Sequence, residues 1–273
     1  MARAFQTVLE HIEEQILSGR LRVGQSLPPE RELAATLKVS RTAVREALRA
    51  LEAQGITTSL VGAGADAGTR ITSGMRRPLA KSIRLHLALD TFAYDEIVDA
   101  RIMCERQSAT LAARHGTAAE FRRMEVVLRA MEADHMRLEV FNGLDTDFHL
   151  IIAEMGHNRL VSDIASAIRE SLREPIRAAS ERMEDWQAFR LDLIRQHRRI
   201  ADGILARDGA RAADAMEAHI RTAYAILWLG DAPASAPTGP TTHSRSPSSA
   251  KQTVGPFWRE RSRRATGPLT LAP

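Results

Sequence analysis

A single cysteine, Cys104, occurs among the 273 residues. No disulfide can form within the chain, and one lone thiol fits a reducing compartment. There is no run of eighteen apolar residues of the kind that crosses a bilayer as a helix, and the first residues lack the apolar stretch of a secretory signal. These absences lead us to expect a soluble, cytoplasmic protein with no membrane partner. No internal repeat is evident, and strand formers are scarce from Leu79 to Gly230, where alanine, leucine, arginine and glutamate dominate. The length permits one large domain or two smaller ones, with ample material for a core.

Charge divides the chain further. The net charge of +4 is spread unevenly: residues 1–77 carry 11 Lys/Arg against 8 Asp/Glu, residues 78–230 carry 21 against 24, and the remainder 6 against 2. A basic head suits a polyanionic partner and an acidic middle does not. From Asp231 onward Ala, Pro, Ser, Thr and Gly prevail, a composition that cannot bury enough apolar surface to order itself. Residues 231–273 are therefore expected to form a disordered basic tail ending in Arg259-Glu260-Arg261-Ser262-Arg263-Arg264.

The head contains two short apolar stripes at helical spacing, Leu33, Ala34 and Leu37, then Val44, Ala47, Leu48 and Leu51. Lys38-Val39-Ser40 between them is long enough only for a tight corner. Ser40 is placed to cap the second helix by accepting a free backbone N–H. Two helices across such a turn form a helix-turn-helix, whose second helix enters the major groove of DNA. Ser40, Arg41, Thr42 and Arg45 crowd its first turns, with Arg41 and Arg45 four apart on one face. A guanidinium can grip guanine O6 and N7 with two bonds, and the hydroxyls suit phosphate or base. Arg31, on the preceding helix, is within reach of the groove or its rim. The alternative is a merely solvated face.

An earlier helix spans Phe5 to Ser18, ended by Gly19. Ile56–Val61 and Thr69–Thr72 have strand composition and would form the wing of a winged helix. The tip, Gly62 to Thr69, is long and carries an acidic residue, Asp66, where phosphate would approach. After a linker at Ser73–Pro78, helical patterns occupy about 78–89, 94–115, 118–136, 138–155, 158–180, 186–207 and 209–229. Short connections such as Asp208-Gly209 imply antiparallel packing in a bundle. Pro175 falls inside one pattern and is expected to kink or end it.

Within the bundle three histidines stand on apolar stripes. His149 lies four after Asp145 and three before Ile152; His197 precedes Ile200 and Ile204; His219 shares a stripe with Met216, Ala223 and Ile226. One carboxylate and three imidazoles from three helices would converge inside, and a divalent cation would satisfy them together. Nitrogen and oxygen ligands suit zinc first, with nickel, manganese or iron as alternatives. Each histidine taken alone is more often a hydrogen-bonded core residue. Asp147 is a second carboxylate, but on a different face.

The run Gln25-Ser26-Leu27-Pro28-Pro29-Glu30-Arg31-Glu32-Leu33-Ala34, with Val39-Ser40-Arg41-Thr42-Ala43-Val44-Arg45-Glu46-Ala47-Leu48, resembles the DNA-binding domain of GntR transcription regulators. The resemblance implies that Arg31, Arg41 and Arg45 contact operator DNA, assisted by Ser40 and Thr42. Arg101-Ile102-Met103-Cys104-Glu105, Asp145-x-x-Phe148-His149, Gly156-His157-Asn158, His197 and His219 resemble the FCD ligand-binding domain of the FadR subfamily. That likeness implies a metal held by Asp145, His149, His197 and His219, with a small carboxylate effector facing Arg101. The bland reading of Arg101 is an ion pair with Glu105, one turn along.

The expected protein is mainly α, with a winged helix-turn-helix at 1–75 bearing a small β wing, then an antiparallel all-helical effector domain at 78–230. Its expected role is a homodimeric repressor of double-stranded operator DNA, controlled by a sugar acid, hydroxy acid or dicarboxylate. A metal-free effector site is one alternative. The other is a metalloenzyme with an appended DNA-binding module, in which the metal activates water; no general base is evident beside the quartet, Asp147 and Glu154 being available but unplaced.

Overall fold

The computed structural model describes residues 2–60, 68–134 and 136–229. The expected wing tip with Asp66 and the expected disordered tail fall outside these residues. The chain forms two compact units, Met1–Ile83 and Arg84–Pro273.

In the first unit, α1 (Ala2–Leu17), α2 (Glu30–Leu37) and α3 (Arg41–Ala53) precede an antiparallel pair, β1 (Thr57–Leu60) and β2 (Gly68–Ile71). The turn between α2 and α3 is as short as the sequence implies. Lys38 adopts a left-handed conformation (φ 53°), and Ser40 Oγ accepts from the Ala43 N–H at 3.1 Å. Val8, Ile12, Leu33, Val44, Leu48, Leu51 and Ile71 make the core. Each such side chain contributes about 1.5–3 kcal/mol on burial.

α3 ends in a Schellman arrangement. The Gly55 N–H donates to the Glu52 carbonyl and the Ile56 N–H to that of Leu51, both at 2.9 Å. Gly55 has φ +74°, and a Cβ there would lie 2.3 Å from the Gly74 carbonyl oxygen. Glycine is thus required twice over, for handedness and for the approach of the segment that follows β2.

The second unit begins at Arg84, within α4 (Arg76–Ala88). Its helices are α5 (Tyr94–His115), α6 (Ala118–Met131), α7 (Leu138–Met155), α8 (Arg159–Ser180), α9 (Trp186–Leu205) and α10 (Gly209–Tyr224), continued by a π-helical turn at Ala225–Leu229. Polar residues cap four of these starts: Thr117 with Glu120, then Asn158, Asp185 and Asp208. Met124, Leu128, Met131, Phe141, Phe148, Ile152, Ile200 and Ile204 are fully buried in one core.

Three expectations need correction. α6 stops at Met131 rather than about 136, because the buried Arg190 guanidinium donates to the carbonyls of Met131 (2.8 Å) and Ala133 (3.0 Å) and caps that end from α9. Pro175 does not end α8, which runs through it to Ser180. Ile226 is not on the inward stripe of His219 but 39 % exposed; the wider π turn after Tyr224 rotates the later residues, and Leu227 faces inward instead.

α9 and α10 approach closely at Gly203. A Cβ there would lie 2.8 Å from the backbone nitrogen of Ala212 and 2.9 Å from its Cα, so a side chain forces the helices apart. Gly203→Ala is expected to lower stability by about 1–3 kcal/mol, as overpacking in a close-packed interior does. Urea unfolding followed by circular dichroism would measure it; an unchanged midpoint would mean that the two helices separate freely.

Candidate metal centre and DNA-reading helix

On α3, the hydrogen bond that starts the helix leaves Arg41, Thr42 and Arg45 exposed. Arg31 on α2 and Arg49, one turn beyond Arg45, are exposed too. Arg45 is held by Glu30, with Nη2 3.1 Å from Oε2 and Nε 3.4 Å from Oε1. The hydrogen bond and charge of Glu30 raise the Arg45 pKa further. The five expected residues therefore share one unit and are accessible, and the Glu30 pairing is a feature the spacing did not reveal.

In the bundle the four expected ligands meet. One ligand atom from each of Asp145, His149, His197 and His219 lies within 4.8 Å of the others. Asp145 and His149 come from α7, His197 from α9 and His219 from α10. Hydrophobic neighbours at helical spacing turn each inward: Ile152, Ile200 and Ile204 are 0 % exposed and Met216 is 1 % exposed.

Their hydrogen bonds fix which nitrogen is free. His219 Nδ1 is 3.0 Å from the Gln196 amide oxygen, an acceptor only, so Nδ1 carries the proton and Nε2 keeps its lone pair. His149 Nδ1 meets the Glu105 carboxylate in the same way. Among the described residues, His149 Nε2 and both nitrogens of His197 are buried without a hydrogen-bond partner. His197 Nε2 is 3.1 Å from Asp145 Oδ1, a close approach outside hydrogen-bond alignment. Imidazoles that donate one N–H to an outer partner and leave the other nitrogen bare are the usual surroundings of a metal.

The protonation states agree. Burial, followed by the charge of Arg169, pushes His149 down to about 4, and burial beside the other two histidines pulls His219 well below its ordinary value. Burial alone would raise Asp145, but Arg169 and the histidines outweigh it and hold the carboxyl ionised. Neutral imidazoles and an ionised carboxylate are the forms that bind a cation. The donor set fits a divalent metal.

Two residues that the sequence reading did not assign to the site complete its surroundings. Arg169 of α8 pairs with Asp145 Oδ2 and lies 3.8 Å from Glu105 Oε1. Glu105 of α5 accepts from Arg101 Nε at 2.6 Å, so the bland reading of Arg101 is realised, although Arg101 also lines the adjoining pocket. Burial raises Glu105, but Arg101, His149 and Arg169 together hold it well below the usual carboxylate range. Asp147 is exposed, and Glu154 is exposed and paired with Arg123 at 2.9 Å. Neither candidate base adjoins the ligands.

A pocket opens beside them. Its wall steps from Arg101 to Val98 and Tyr94 on α5, and from Asp145 to Asn142 and Phe141 on α7. On α8 it steps from Arg169 through Leu172 and Ile176 to Ser180, and on α10 from His219 to Ala223 and Leu227. Leu193 and Phe189 of α9 lie one and two turns before His197. The pocket thus extends along the bundle from one side of the ligand layer.

A helix-turn-helix followed by an antiparallel pair of strands, and later in the chain a helical bundle that holds a pocket, is an architecture suited to a DNA-binding regulator. Comparison with known families matches residues 5–66 to the "Bacterial regulatory proteins, gntR family" and residues 96–222 to the FCD domain. The Glc operon transcriptional activator of Escherichia coli K12 is 32 % identical over 222 residues, covering 80 % of this chain and 86 % of that protein. The HTH-type transcriptional regulator LutR of Bacillus subtilis is 29 % identical, covering 78 % and 95 %, and the repressor NanR of Citrobacter rodentium is also 29 % identical, covering 81 % and 84 %. The solved structure of Streptococcus agalactiae GntR has a TM-score of 0.54 at 26 % identity, covering 80 % and 98 %. The chain belongs to the GntR family of transcription regulators, in the FadR-like branch whose second domain is FCD. Its relatives include activators and repressors and are regulators rather than enzymes.

Proposed function

We propose that this regulator is a repressor that binds double-stranded operator DNA as a homodimer in the cytoplasm and responds to a small organic acid bound against a divalent metal. The observation that carries the reading is the convergence of Asp145, His149, His197 and His219, with Glu105 and Gln196 holding the Nδ1 positions of His149 and His219. Zinc is the first choice for three imidazoles and a carboxylate, with nickel, manganese or iron as alternatives. A cation there would supply a Lewis-acidic position for a carboxylate oxygen.

Charge balance supports an anionic effector. Arg101 and Arg169 are offset by Glu105 and Asp145, so a divalent ion leaves the buried cluster with excess positive charge. An entering carboxylate reduces that excess, and Arg101 and Arg169, both lining the pocket, are fixed planar donors suited to it. On α3, Arg41 and Arg45 would read base edges, with Arg31, Ser40 and Thr42 fixing register. An acid that prefers one arrangement of the protein shifts the population and hence operator affinity.

The test is fluorescence anisotropy with an operator duplex selected from a random library, titrated with a panel of carboxylic acids with and without a chelator. At least one acid should weaken operator binding five-fold or more, and chelator should abolish its effect. If no acid alters operator affinity while metal is bound, the sensor reading is lost and the DNA-binding reading stands.

A further inference from the structure

We infer that the acid this bundle selects is a monocarboxylate with an apolar tail, aliphatic or aromatic, rather than a polyhydroxylated acid or an extended dicarboxylate. The inference rests on the proposed sensor site and extends it from the head group to the rest of the ligand. Among the described residues, the charged groups that line the pocket, Arg101, Asp145 and Arg169, belong to the ligand layer, as does the neutral His219. One and two turns along the bundle the wall becomes Val98, Leu172, Ile176, Phe189 and Leu193. From Arg169 to Ile176 the helix rises roughly 10 Å at 1.5 Å per residue, enough for a tail of several carbons or one ring.

The polar atoms beyond the layer are few. The Ser180 hydroxyl is already committed to the Ile176 carbonyl at 2.9 Å. The Asn142 amide nitrogen is buried without a partner among the described residues, one turn from Asp145, and suits a single acceptor near the head of the acid. The rings of Tyr94 and Tyr224 stack at 5.7 Å between centroids and present flat apolar surface, with one hydroxyl each at the ring edge. Several hydroxyls laid along this wall would outnumber the polar atoms that Asn142 and the two tyrosines offer, and a second carboxylate among its apolar side chains would be desolvated without a cation. A hydrocarbon or aromatic tail loses nothing and gains burial.

The experiment is isothermal titration of the full-length, zinc-loaded protein with propionate, hexanoate, 3-phenylpropionate, gluconate and adipate. Each buried methylene should tighten binding about four-fold, so hexanoate is expected to bind at least ten-fold more tightly than propionate and than gluconate or adipate. In Ile176→Ser, half-buried at the tail end and checked for an unchanged melting temperature, hexanoate should weaken five-fold or more while propionate is unaffected. Tighter, chelator-sensitive binding of gluconate or adipate than of hexanoate would overturn the tail assignment and leave the sensor reading standing. Absence of binding by every acid, with chelator having no effect, would overturn both.

Discussion

The double substitution Arg41→Met and Arg45→Met is expected to lower specific operator affinity by about 100-fold or more, because each guanidinium that reads a guanine edge is worth about 1–3 kcal/mol. The fold should survive. Both side chains are exposed, and the Arg45–Glu30 pair is a surface ion pair (53 % and 33 % exposed), a class that typically contributes about 0–1 kcal/mol. The measurement is anisotropy with the selected duplex and with an unrelated duplex, at matched salt. Specific binding should collapse towards the non-specific level while the melting temperature holds. Retained discrimination between the two duplexes would remove α3 from the reading role and return these arginines to a solvated face. Glu30 enters the interpretation too, because Arg45 must leave that carboxylate or carry it along when it meets a base.

Metal removal should be nearly as visible. Zinc at a hundred times its dissociation constant stabilises the folded state by about 2.7 kcal/mol. For a domain of this size that raises the melting temperature by roughly 5–10 °C. His197→Ala should abolish the shift, since that imidazole is fully buried and neither of its nitrogens has a hydrogen-bond partner among the described residues. Asp145→Asn should weaken the shift and also disturb Arg169, which would lose its charged partner. Calorimetric melts with and without chelator, alongside elemental analysis, would test this. A melting temperature indifferent to zinc, chelator and His197→Ala would mean that the quartet is a polar core rather than a metal site.

The readings that could be made from the sequence were local ones. The Ser40 cap, the three-residue corner and the stripe of Val44, Leu48 and Leu51 are all written within a few residues of one another, and α3 follows from them. The quartet was legible for a related reason. A histidine whose i+3 or i+4 neighbours are apolar must face inward, and three such helices in one bundle share one interior.

What escaped notice depended on partners far apart in sequence. Arg169 sits among Glu170, Arg173 and Glu174, all exposed, and reads as part of a solvated face until Asp145, 24 residues earlier, is brought against it. Arg190 ends α6 from 59 residues away, so no pattern near Met131 marks that stop. The π turn likewise has no periodic signature, and a 3.6-residue repeat carried through it placed Ile226 inward where Leu227 lies. Asn142 looks like any polar helical residue until the pocket forms around it.

Glu105 has a consequence for how this site can be dissected. Its one carboxylate meets Arg101 at 2.6 Å, His149 through Nδ1 and Arg169 at 3.8 Å, and so ties α5 to α7 and α8. Substitutions at those three partners share a term, and their effects on stability and on effector affinity will not sum. A double-mutant cycle through Glu105 would give a large coupling energy for each pair. Single alanine values, added together, would overstate what holds the site in place.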